Sequence, residues 1–165
     1  MSMDVHQKSL ALCDLSATCA LAGKIALWAR PGDVVALRGA LGAGKTVFAR
    51  SFIEAFADHV GAPPPGEIPS PTFTLAQVYE FGDNVIYHFD LYRLEAPADA
   101  YELGIEDAFA DSVSLIEWPD RLGGLLPGDR LDIELVDGAD ENARGVHITG
   151  RGAWTDRVEE IFPDG

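Results

Sequence analysis

The sequence predicts a three-layer α/β fold with a largely parallel central sheet and an antiparallel hairpin extension. Three observations carry that expectation. A short β-branched run, Val34-Val35-Ala36-Leu37, leads through a glycine loop into a helical apolar pattern. Two further apolar runs, residues 85–89 and 113–116, each end at an acid, Asp90 and Glu117. Past Gly123-Gly124 the pattern changes: Leu131, Ile133 and Leu135 alternate with polar residues, and an acidic turn over 137–142 leads into Val146-His147-Ile148. That alternation describes a half-buried hairpin with one wet face.

Taken in order, residues 1–7 read as a frayed start. An alanine- and leucine-rich segment over 16–29 reads as a first helix, with Asp14 or Ser16 as its N-cap and Pro31-Gly32 beyond its end. The helix after the glycine loop spans about 45–59, and the spacing of Phe48, Phe52 and Phe56 puts aromatics on one core-facing side. Residues 61–71 hold five prolines and two glycines, which excludes regular structure and predicts a stiff, exposed connection. Ser70-Pro71-Thr72-Phe73-Thr74 then places hydroxyls at a proline-fixed turn opening a strand through Tyr79. Residues 97–111 read as a helix with proline near its first turn and Tyr101, Ile105 and Phe109 on one stripe. A short amphipathic helix over 154–162 closes the chain. At 165 residues and 47% hydrophobic content, the expectation is a single domain over 1–165.

The bulk charge restricts the partners. Twelve basic against 27 acidic residues give a formal charge of −15, so the summed field repels RNA, DNA and anionic membranes, and charged partners should be basic proteins or cations. Cys13 and Cys19 are six apart with no His or Cys cluster beside them, which fits idle thiols in a reducing cytosol rather than zinc or a disulfide scaffold. No basic, apolar leader is visible, and the apolar runs fall far short of the ~20 residues a membrane helix needs. A cytoplasmic protein without a membrane span is expected.

The chemistry begins at Gly39-Ala40-Leu41-Gly42-Ala43-Gly44-Lys45-Thr46, which reads G-x-x-x-x-G-K-T between a strand and a helix. In such a phosphate-binding loop (P-loop) the backbone of Gly39, Leu41, Gly42, Ala43 and Gly44 would wrap a triphosphate. Backbone N–H groups approach that closely only where no Cβ intervenes and φ can be positive. Lys45 would neutralise the β and γ phosphates, and the Thr46 hydroxyl would ligate Mg²⁺ at the helix N-terminus. Only three lysines occur in the chain, so one in the motif is not explained by abundance. Asp90, at the end of its strand, has the Walker-B position of a magnesium carboxylate, and Glu117 is assigned to magnesium or to the attacking water. Both acids fall at strand C-termini, the edge where open α/β sheets bind ligands. Thr72 stands where a γ-phosphate sensor can lie, with an ordinary turn hydroxyl as the alternative. His88 shares the face of Asp90 and either lines the site or packs structurally. Arg93 either steadies transition-state charge or forms a surface salt bridge. No Asn-Lys-x-Asp guanine reader is present, so ATP is the expected nucleotide.

Four segments in this order and spacing, Gly39 to Thr46, Ser70-Pro-Thr-Phe-Thr-Leu75, His88-Phe-Asp-Leu-Tyr-Arg-Leu94 and Ile116-Glu-Trp-Pro-Asp120, closely resemble the TsaE (YjeE) family. The Pro31-Gly-Asp-Val-Val lead-in and Leu103-Gly-Ile-Glu-Asp also look like that family, so the similarity covers most of 12–150. The resemblance implies the bacterial ATPase of tRNA threonylcarbamoyladenosine biosynthesis, docking on the TsaD and TsaB proteins rather than transferring the threonylcarbamoyl group itself. It implies phosphate and magnesium positions at Lys45 and Thr46, a magnesium position at Glu117, a Walker-B-like acid at Asp90 and a nucleotide-side role for Trp118. Asp120 stands where Glu is common, a mild departure. A small-molecule or nucleoside kinase shares the loop but usually needs an arginine-rich lid, and no arginine cluster appears. A nucleotide-gated binding module with little catalysis is the third reading.

Overall fold

Continuous burial of adjacent strands sets the architecture of the computed structural model, which describes residues 5–163. Its elements are β1 (Val5–Leu12), α1 (Leu15–Ala26), β2 (Val34–Arg38), α2 (Lys45–His59), β3 (Ala76–Phe81), β4 (Asn84–Asp90), α3 (Ile105–Asp111), β5 (Val113–Glu117), β6 (Arg130–Asp137), β7 (Arg144–Arg151) and α4 (Trp154–Ile161). Two 3-10 segments, Pro97–Leu103 and Pro119–Leu125, flank α3 and β5. The sheet runs β1-β7-β6-β2-β5-β4-β3. The four central strands, β6, β2, β5 and β4, are parallel, and β5 is buried at all five positions, as a strand covered on both faces must be.

Helices α1, α2 and α4 cover one face over a core that includes Ile25, Phe48, Phe52, Leu115 and Trp154. The other face carries α3 and the 3-10 segments over Phe89, Leu91, Ile105, Ile116 and Leu122. This is the expected three-layer arrangement. The β6–β7 hairpin also forms as expected, antiparallel and paired from Arg130–Arg151 to Asp137–Arg144.

Five expectations need correction. Residues 5–7 are not frayed: they open β1, which pairs antiparallel with β7, while residues 1–4 lie outside the described residues. Inward positions of β1 carry His6 and Lys8 as well as Leu10 and Leu12, so the apolar alternation that marks a strand is diluted. Residues 97–111 are not one helix, because Gly104 adopts φ +82, ends the 3-10 segment and starts α3. Tyr101 is consequently 48% exposed where Ile105 is 1% exposed, and the single stripe is lost. The strand after Thr74 begins only at Ala76, since Leu75 has φ +66, and it turns back at Gly82-Asp83 to pair antiparallel with β4. The proline-rich connection carries no helix or strand but is not wholly exposed: Ile68 is buried, and Arg50 Nε donates to its carbonyl at 2.8 Å. The first helix also stops at Ala26, with Asp14 as its cap accepting from Ala17 N–H at 2.9 Å.

Two charge clusters tie the C-terminal elements to the sheet. Arg157 on α4 makes a two-pronged contact with buried Asp33 at 2.6 and 3.0 Å, and donates to Trp28 O at 3.0 Å. Asp132 on β6 accepts from Arg130 Nε and Arg151 Nε, both at 2.9 Å, and lies 3.4 Å from Arg38 Nη2 at the end of β2. Arg38 also meets Asp120. Burial alone would raise the Asp132 carboxyl, but the Arg151 and Arg130 hydrogen bonds and the charges of Arg130 and Arg38 outweigh it and hold its pKa below the ordinary 3.8.

A depressed native pKa stabilises the fold above the unfolded-state value and ceases to do so as pH falls through the native one. The stability difference between the parent and Asp132→Asn is therefore expected to be constant above about pH 5 and to shrink below the ordinary 3.8. Urea unfolding at a series of pH values checks this, and a difference that grows on acidification would contradict it.

Candidate active site

The phosphate loop connects the end of β2 to α2, and its backbone geometry explains its glycines. Gly39, Gly42 and Gly44 have φ of +144, +80 and +107. At Gly39 a Cβ would also come within 2.7 Å of Leu135 O on β6, so the residue is fixed by both conformation and space. Lys45, first residue of α2, is buried, and its Nζ donates to Gly39 O at 2.6 Å and lies 3.5 Å from the Trp118 ring centroid. Burial lowers the Lys45 pKa, and the charges of Glu117 and Asp90 oppose that shift. The ammonium thus rests against a carbonyl and an aromatic face at the mouth of the loop.

Strand register supplies the acids. Asp90 and Glu117 are direct partners across the parallel β4–β5 pair, and Leu37 of β2 is the partner of Glu117 on its other side. Glu117 accepts from Thr46 Oγ1 at 3.1 and 3.3 Å, so the end of β5 touches the start of α2. A carboxylate only accepts, so His88 Nε2 donates to Glu117 Oε2, at 2.7 Å, from a fully buried position two residues before Asp90. Asp90 accepts from Tyr92 N–H at 3.1 Å and sits 3.5 Å from Thr72 Oγ1, which in turn is 2.7 Å from Ser70 Oγ. Trp118 has φ +59, an uncommon conformation for a bulky residue, and it brings the indole beneath Lys45 and against Tyr92, with ring centroids 5.0 Å apart.

These residues enclose a cleft of ≈ 260 Å³ lined by the loop at Leu41, Gly42 and Gly44, by Lys45 and Thr46, and by Thr72, Asp90, Glu117 and Trp118. Gly39 and Ala43 do not line it: Gly39 contributes its carbonyl to Lys45, and the Ala43 side chain is buried in the core. Leu41 is 70% exposed at the loop tip. His88 is fully buried and does not line the cleft; it touches the site only through its hydrogen bond to Glu117, which is the packed reading of its sequence position. Arg93 stands over the exposed Phe73 ring at 4.7 Å and makes no ion pair among the described residues. Arg144, in the β6–β7 hairpin, was not legible: it donates to Ala43 O and Gly42 O from behind the loop, and no motif marks it.

The charged lining is one ammonium against two carboxylates, so a triphosphate entering alone would meet net repulsion. A divalent cation resolves that conflict. The converging donors are a hydroxyl and two carboxylates, all oxygen, which suits a hard ion such as Mg²⁺. Among the described residues no group of three or more His, Cys, Asp or Glu is arranged to hold a metal by itself. The set fits an ion that draws its remaining oxygens from phosphate and water.

The family model described as threonylcarbamoyl adenosine biosynthesis protein TsaE matches residues 12–146. The TsaE protein of Rickettsia felis is 42% identical over 127 residues, 75% of this chain and 69% of that protein. The TsaE protein of Bacillus subtilis is 37% identical over 136 residues, covering 82% and 80%. The crystal structure of Bacillus YdiB superposes with a TM-score of 0.76 at 32% identity over 98% of both chains. The chain therefore has the P-loop fold and belongs to the TsaE family.

Proposed function

We propose that this chain is a slow, Mg²⁺-dependent ATPase that serves tRNA N6-threonylcarbamoyladenosine biosynthesis by acting on the TsaD and TsaB proteins. The observation that carries the proposal is the contact chain His88–Glu117–Thr46, which fixes a carboxylate between two strands and the phosphate loop, across from Lys45. The names of the relatives, tRNA threonylcarbamoyladenosine biosynthesis protein TsaE, support the biological setting.

In this reading Lys45 leaves the Gly39 carbonyl and neutralises the β and γ phosphates, while the Gly42 and Gly44 backbone wraps them. Thr46, Glu117 and Asp90 would hold Mg²⁺, whose charge would offset that of the triphosphate when bound. Glu117, restrained by the His88 N–H, orients water and accepts its proton as the water oxygen bonds to the γ-phosphorus and the bond to the ADP oxygen breaks. Thr72, 3.5 Å from Asp90 on the cleft wall, would act as the γ-phosphate sensor.

The charge of the cleft supports partner dependence. The cleft lining contains no arginine among the described residues, so Lys45 is its one cationic side chain. A positive group supplied by a docked protein raises phosphoryl-transfer rates in other P-loop systems by roughly 10³–10⁵-fold. The chain's charge of −15 suits basic protein surfaces and argues against a strong grip on tRNA by this chain alone. No helix among the described residues is long and apolar enough to cross a membrane, in keeping with action beside cytoplasmic tRNA.

Lys45→Ala is expected to weaken ATP binding about tenfold or more, measured by calorimetry, through loss of a charge-assisted contact. Glu117→Gln is expected to retain ATP but to release phosphate to water on the order of 100-fold more slowly. Adding TsaD and TsaB should change the phosphate release of the parent. If both variants hydrolyse ATP like the parent, or if phosphate passes to an added small-molecule acceptor instead of water, the proposal fails.

A further inference from the structure

The phosphate loop is gripped from its outer side by a residue that does not line the cleft. Arg144 opens β7, and its guanidinium donates to four backbone carbonyls: Nε to Ala43 at 2.8 Å, Nη2 to Gly42 at 3.1 Å, and Nη1 to Glu141 and Ala143 at 2.7 Å each. The last two bonds lie within its own turn and suffice to shape the hairpin. The first two cross 101 and 102 residues of sequence to reach the loop. Arg144 forms no ion pair among the described residues, so in a chain of net charge −15 its positive charge is directed at carbonyls behind the phosphate loop.

Peptide planarity turns this grip into an orientation. In a trans peptide the C=O of one residue and the N–H of the next point in opposite directions. With the Ala43 carbonyl held outward by Arg144 Nε, the Gly44 N–H of the same peptide faces away from the guanidinium, and Gly44 lines the cleft. The Gly42 bond acts on the turn, because the Ala43 N–H of that peptide closes onto Ala40 O at 3.1 Å. Loop and hairpin are in contact here in any case, since Gly39 packs against Leu135 O near the end of β6.

We propose that Arg144 is a positioning residue for triphosphate binding, setting the Ala43–Gly44 peptide of the phosphate loop and placing a positive charge behind it. The inference rests on the nucleotide-binding reading above. Its role acts through the backbone, and it touches neither the phosphates nor the reacting atoms. A lysine keeps the charge but cannot bridge the Gly42 and Ala43 carbonyls with a planar fork.

The test compares parent, Arg144→Ala and Arg144→Lys by calorimetric titration with ATP and Mg²⁺, alongside the nucleotide-free thermal midpoint. Both variants are expected to bind ATP about tenfold or more weakly, and KM for ATP should rise by a larger factor than kcat falls. An ATP affinity within about twofold of the parent in Arg144→Ala overturns the proposal. So does full rescue by lysine, which would mean that charge without geometry is enough, or an affinity loss no larger than the accompanying drop in the nucleotide-free midpoint explains. Should Arg144→Ala fail to fold, Arg144→Lys alone decides, since it keeps the stem and charge and alters only the fork. A parent that binds no ATP would instead overturn the nucleotide reading, and so is distinguishable.

Discussion

The site depends first on strand register. Asp90 and Glu117 face the phosphate loop because β4 and β5 pair in parallel with those two residues opposite each other, and β2 pairs with β5 through Leu37. Side chains alternate across a sheet, so a slip of one residue would turn both acids away from the loop. The register is held by β2 and β5, which are buried along almost their whole length. A buried hydrogen bond from His88 to Glu117 then fixes the carboxylate itself. Leaving the imidazole unpaired there would be costly, so core stability and site geometry share one contact.

On that base the loop is an assembly of positive-φ backbone, crowded at Gly39 and supported from several sides. The positive φ angles of Gly39, Gly42 and Gly44 shape the cradle, while Leu135 and Arg144 of the C-terminal hairpin close on it from behind. From the front, Trp118 adopts φ +59 and places its ring under the Lys45 ammonium. The hairpin is in turn tied to β2 through Asp132, whose three arginine neighbours include Arg38, the residue before Gly39. The β6–β7 unit is therefore a brace for the phosphate loop as well as an extension of the sheet.

Much of this was legible in the sequence because the signals were local. The G-x-x-x-x-G-K-T string, the acids closing two apolar runs and the alternation in the last hairpin each report on a single element, and their order along the chain fixed the layer class. Features set by pairing or by single dihedral angles were not legible. Strand β1 exists through its partner β7 and carries His6 and Lys8 on its inward side, so its own pattern is weak. The break at Gly104 and the late start of β3 at Ala76 turn on φ at one residue each. Arg144 belongs to the same class, since its bonds to Gly42 and Ala43 join positions about a hundred residues apart and leave no periodic trace.

The most direct measurement is calorimetric titration of the full chain with ATP in the presence of Mg²⁺ and again with the cation chelated. One ammonium facing two carboxylates should take up ATP with Mg²⁺ and bind it markedly more weakly without the cation. Equal heats and affinities under the two conditions, or no association in either, would contradict a site in which Asp90 and Glu117 face a triphosphate across from Lys45.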